Sequence, residues 1–145
     1  MKFDDIKAEY QGDLLDPDAV DLDRVALEIP KLHSKYSEIL FEEENFLAAL
    51  RSEYDRMYRD KWEYYTGKMS SEDLKSRGWQ PFPLKILKGD VEKYLDADDE
   101  ISGMRLKINY QSQKVSYVER AIKEIMSRQW IVRSSVEWRR FISGG

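Results

Sequence analysis

The apolar positions of this chain fall on two long seams. The first runs Leu22, Val25, Ile29, Leu32, Tyr36, Ile39, Phe46, Leu50, Tyr54 and Met57. From Leu22 to Ile39 the steps alternate three and four residues, the heptad spacing that keeps one helix face against partner helices. Glu43 takes one seam position, and the register stutters between Leu50 and Tyr54. Pro30 lies inside the pattern. It lacks an N–H and its ring crowds the preceding turn, so it either begins the straight part of the helix or kinks it. From Pro30 to Thr66 a straight helix would run roughly 55 Å. A helix so long needs partner helices, and other copies of the chain are a natural source. The second seam is again heptad: Ile101, Met104, Ile108, Gln111, Val115, Val118, Ile122 and Ile125. Gln111 is its polar member, a device that can fix register at a cost in stability.

The punctuation between the seams sets the rest. Phe3, Ile6 and Tyr10 predict one or two turns of helix, ended by Gly12. The acidic stretch Asp13 to Asp23, with Pro17, reads as a loop or extended arm. Gly67 suits the position just past a helix, where a left-handed conformation costs it nothing. Residues 67–95 read as an irregular connector with Gly78, Pro81, Pro83 and Gly89. Within it, Ser71-Glu72-Asp73-Leu74 is a candidate helix start. Leu84 to Leu87 reads either as an extended piece or as the lead into a short helix over Asp90 to Leu95. Asp96-Ala97-Asp98-Asp99-Glu100 opens the second long helix, because carboxylates there cap free N–H groups and complement the helix dipole. Ser127-Arg128-Gln129 reads as a joint before a last amphipathic helix with Trp130, Ile131, Trp138 and Phe141. The predicted fold is mostly α: two long heptad-patterned helices plus short N-terminal and C-terminal helices, in an oligomeric assembly. It is read as one domain over 1–145, with an N-terminal arm and long helix in 1–66 and the C-terminal helices in 96–145.

Composition adds three points. Charged residues make up 36% of the 145, which suits long solvated helices. There is no cysteine, hence no disulfide framework and no thiolate metal site. No apolar run approaches the roughly 18 residues of a membrane span, and Met1 to Asp5 lacks the apolar stretch of a signal peptide. These features predict a soluble intracellular protein without membrane association. The net charge of −4 hides an asymmetry. Residues 1–100 carry 15 Lys+Arg against 25 Asp+Glu, and residues 101–145 carry 9 against 3. That is either a basic surface kept for an anionic partner or neighbouring subunit, or uneven decoration of solvated faces.

Enzymatic constellations are missing from the sequence. The one histidine, His33, has no cysteine and no carboxylate at a ligand spacing. Asp96 to Glu100 resembles the start of a calcium loop, but Ile101 stands where such a loop requires glycine. Glu42-Glu43-Glu44 reads as a solvated helix face. There is no phosphate-cradling glycine loop and no nucleophile–base pair. The reading is a non-enzyme with no catalytic residue, metal or cofactor.

The stretch Arg59-Asp60-Lys61-Trp62-Glu63-Tyr64-Tyr65-Thr66-Gly67 points to binding. On a helix, Arg51, Tyr54, Tyr58, Lys61, Tyr65 and Lys68 share a stripe in which cations and rings interleave. Cations neutralise phosphates while rings stack on bases, the combination used for single-stranded nucleic acid. Equally, Tyr54 and Tyr58 continue the core seam, with basic groups snorkelling at its edge. Arg59 and Lys61, two residues apart, point to nearly opposite sides of the helix.

At these residues the chain resembles the UvsY recombination mediators of tailed phages. A basic-x-basic pair, an aromatic pair, a small hydroxyl residue and glycine carry the likeness. Residues 84–100 are similar to the family's stretch before its second long helix. Ile125 to Trp130 and Trp138 through Gly144 are similar to its C-terminal helix and glycine end. Trp62 departs from the family pattern, where a smaller aliphatic is more usual; it adds either stacking or packing. The resemblance implies a protein that binds single-stranded DNA and helps a RecA-like recombinase of the UvsX type displace the phage single-strand-binding protein. It implies a homo-oligomeric ring of about six or seven subunits in the cytoplasm of the infected host. It implies DNA contact at Arg59 and Lys61, with Tyr64, Tyr65 and Gly67 as the adjoining motif, and assembly through the C-terminal helices, here Ile122, Ile125, Trp130, Ile131, Trp138 and Phe141. Arg56 and Lys68 are further candidate DNA contacts on either side. The alternative is a coiled-coil oligomeric adaptor that binds only protein partners.

Overall fold

The structure, a computed structural model, describes residues 1–144. Among these it holds five α-helices and no strand: α1 Phe3–Gly12, α2 Leu22–Tyr65, α3 Ser71–Arg77, α4 Val91–Asp96 and α5 Asp99–Ile142. A 3-10 turn over Lys88–Asp90 leads into α4. The chain divides into two compact units, one of Met1–Asn45 with Ser112–Gly145, the other of Phe46–Gln111. The two long helices each contribute to both.

In the first unit α1 docks on the early part of α2 and the late part of α5. Ile6, Tyr36, Val118 and Ile125 are fully enclosed, with Tyr10, Ile29, Leu32, Ile39, Leu40, Tyr117 and Ile122 packed around them. The heptad seams supply most of these side chains, as amphipathic helices must bury their apolar stripe. Polar tips are satisfied inside the packing. The Tyr36 hydroxyl donates to Asp13 at 2.8 Å and the Tyr10 hydroxyl to Glu124 at 2.8 Å. Arg128 holds Glu124 through two N–H groups at 2.7 and 2.8 Å. The N-terminal segment is therefore a docked ten-residue helix, and the acidic loop after it is tied in by Lys35 and Tyr36 at Asp13.

In the second unit Val91, Leu95 and Ile101 form the centre, surrounded by Tyr54, Met57, Tyr58, Trp62, Tyr65 and Ile86. The connector has the short helix read at Ser71, capped by the Ser70 hydroxyl accepting from the Asp73 N–H at 3.2 Å. Residues 80–87 take no regular structure, and a helix does follow near Asp90. Gly67 adopts φ +74° and ends α2 as its sequence position requires.

Three expectations are corrected. The joint at Ser127 to Gln129 is absent: α5 runs unbroken to Ile142. None of those residues breaks a helix, and the Arg128–Glu124 pair at i,i+4 supports the turn. Pro30 lies inside α2, which starts at Leu22 as the seam does. Glu43 is not on a solvated face. It is 4% exposed and pairs with Lys114 at 2.9 Å and with the Met1 amino group at 3.1 Å. Finally, Phe46 is 53% exposed and Leu47 only 7%. The seam thus steps by four twice, Ile39 to Glu43 to Leu47, and the stutter lies there rather than between Leu50 and Tyr54.

Candidate nucleic-acid interface

The C-terminal turns of α2 carry the residues singled out by sequence, and the second unit separates them into two groups. Arg56, Arg59 and Lys68 are exposed. The Arg59 side chain keeps 70% of its surface and reaches Asp60 only loosely, at 3.7 Å. Arg56 touches only its own helix, through Ser52. Lys68 lies just past Gly67 with its ammonium 4.6 Å from the centre of the Trp62 ring. That cation–π contact gives Trp62 one visible role beside its packing.

Lys61, Tyr64 and Tyr65 are drawn inward. The Lys61 side chain keeps only 10% of its surface. Its Nζ lies 3.1 Å from Asp98 Oδ2, 3.6 Å from Glu100 Oε1 and 4.4 Å from the centre of the Trp79 ring. Tyr65 donates to the same Asp98 Oδ2 at 2.7 Å. The other oxygen, Oδ1, accepts the N–H groups of Glu100 and Ile101, capping α5. Burial pushes the Asp98 carboxyl up. The hydrogen bonds from Tyr65, the Ile101 N–H and Lys61 outweigh it and hold that carboxyl below the usual range. Burial also raises the Tyr65 hydroxyl, and its bond to Asp98 raises it further.

Tyr64 and Tyr65 belong to an aromatic cluster with Trp79, Phe82 and Tyr94, ring centres 5.0 to 5.9 Å apart. The Tyr64 hydroxyl donates to the Gln80 carbonyl at 2.8 Å. The pair therefore packs the connector onto α2. The sequence shows Asp98 only among the carboxylates that cap the second long helix, and does not single out Trp79, Phe82 or the contact of Arg77 with Asp60, at 2.8 Å. Their aromatic and charged character was visible, but only the fold brings them to the end of α2.

The assembly candidates divide similarly. Ile125 is fully buried and Ile122 half-buried in the first unit's own core. Trp130, Ile131, Trp138 and Phe141 are exposed along the last turns of α5. Trp138 and Phe141 stack at 5.6 Å with 22° between their planes. No group of metal-ligating side chains occurs among the described residues, and no described helix is long and apolar enough to cross a membrane.

Fold and site together define an all-helical protein whose accessible chemistry is cationic and aromatic. The family model described as "Recombination, repair and ssDNA binding protein UvsY" matches residues 9–145, and the chain belongs to the UvsY family. That membership places it among recombination mediators. Two crystal forms of the bacteriophage T4 recombination mediator protein UvsY share the fold. One is 16% identical with a TM-score of 0.82, covering 97% of this chain and 99% of the other. The second is 17% identical with a TM-score of 0.83, covering 99% and 98%. No curated protein sequence matches significantly.

Proposed function

We propose that this mediator binds single-stranded DNA and helps a RecA-like recombinase of the UvsX type form its filament on DNA covered by the phage single-strand-binding protein. The observation that carries this is the match of the family over residues 9–145, with exposed cations where the binding stretch was read. Arg56, Arg59 and Lys68 are the accessible contacts. Lys61, Tyr64 and Tyr65 hold the helix end and connector in place beside them. With a net charge of −4, one subunit would hold DNA weakly. A homo-oligomer, a ring of about six or seven copies, repeats each weak patch, and multivalency raises affinity without new contacts. The exposed Trp130, Ile131, Trp138 and Phe141 supply an apolar surface for that assembly. The mechanism is scaffolding, without a chemical step, in the cytoplasm of the infected host.

A reconstituted loading assay tests this. On single-stranded DNA saturated with single-strand-binding protein, adding the chain should restore the recombinase's DNA-dependent ATP hydrolysis. No restoration, in a preparation that still oligomerises, would support instead an adaptor that binds only proteins.

A further inference from the structure

We propose that the second phosphate-binding cation beside Arg59 is Arg77 of α3, and that Lys61 is a positioning residue which does not touch DNA. The proposal rests on single-stranded DNA being the ligand.

Lys61 is already spent. Two carboxylates and an indole surround its ammonium, and its side chain is 10% exposed. A phosphate reaching it would have to displace Asp98. Asp98 cannot move freely, because it caps two N–H groups of α5 and accepts the Tyr65 hydroxyl. Breaking a buried pair costs far more than one exposed phosphate contact returns.

Arg77 is differently placed. Its side chain keeps 38% of its surface, and it uses Nη1 alone on Asp60. A guanidinium has five N–H donors in a planar fork, so the remaining ones stay available to an oxyanion. Asp60, 17% exposed, is also the carboxylate nearest Arg59, at 3.7 Å. One carboxylate between two guanidiniums leaves a net positive charge and holds cations from α2 and α3 side by side. The Trp79 ring, 5.2 Å from the Arg77 guanidinium, restrains it further. Arg77 held on Asp60 and Arg59 reaching loosely to the same carboxylate form a phosphate clamp across two elements. Arg59 with Lys61 does not, since one is exposed and the other enclosed.

The test is fluorescence anisotropy of the full chain with a labelled oligothymidine over a salt series, alongside thermal melts. Each phosphate contact contributes about 0.7 to the slope of log K against log salt on a single strand. Arg77→Gln should lower the slope as much as Arg59→Gln does, with an unchanged melting temperature. Arg77→Lys should keep the slope. Lys61→Met should lower the melting temperature yet, while folded, keep the wild-type slope. A wild-type slope for Arg77→Gln, with a reduced one for Arg59→Gln, would overturn the proposal while leaving DNA binding intact. A wild-type slope for both would overturn the clamp and move the phosphate contacts to another surface, whereas a wild type whose affinity ignores salt would overturn the DNA reading itself. If Lys61→Met does not fold, the Arg77 variants alone decide.

Discussion

Lys61 Nζ and Asp98 Oδ2 lie 3.1 Å apart, joining the end of α2 to the N-cap of α5 within the second unit. A cation that reads from sequence as a ligand contact is thus enclosed in a polar network.

Replacing Asp98 by Asn keeps a competent N-cap but removes the charge that neutralises Lys61. Thermal or denaturant melts should show a loss of about 2–4 kcal/mol at neutral pH. Because the folded carboxyl titrates below its unfolded value, its contribution is present above about pH 4 and is lost as pH falls through the folded value. Asp13 shifts the same way, its burial outweighed by bonds from Lys35 and Tyr36, and Glu124 is lowered chiefly by Arg128. Acid melts of the wild type should steepen below pH 4, and those of Asp98→Asn should be shallower. An unchanged acid profile would remove Asp98 from the network.

Tyr10→Phe tests the first unit. The hydroxyl is pushed up to about 12, by burial first and then by its bond to Glu124. That bond stabilises below the unfolded tyrosine value of about 10 and is lost as pH rises towards 12. The variant should lose about 1 kcal/mol at pH 7 and show less alkaline sensitivity. Identical alkaline melts would show that the hydroxyl does not support docking of α1.

Trp138→Ala with Phe141→Ala removes a stacked pair 61% and 75% exposed. Light scattering should report a lower mass, while circular dichroism reports retained helix. An unchanged mass would move assembly to another surface.

The heptad seams made most of the fold legible. Ile101, Met104, Gln111, Val115, Val118 and Ile125 are all buried where the spacing put them. Extending the first seam by four from Met57 also reaches Lys61, so its burial was readable from the same rule. The Arg128–Glu124 pair is readable as an i,i+4 contact, and it keeps helical a polar cluster whose composition alone suggests a joint. The partners of Glu43 and Arg77 were not readable. Lys114 is 71 residues from Glu43 and Arg77 17 from Asp60, so those pairs exist only once the helices pack. The aromatic cluster depends likewise on how residues 79–94 fold back onto α2.

Single-strand binding is tested most directly by anisotropy against a labelled single strand and a duplex of equal length over a salt series. Binding should favour the single strand, with log K falling linearly as log salt rises, and Arg59→Ala should weaken it about fivefold at low salt without shifting the melting temperature. Affinity that ignores salt, or that favours the duplex, would contradict it.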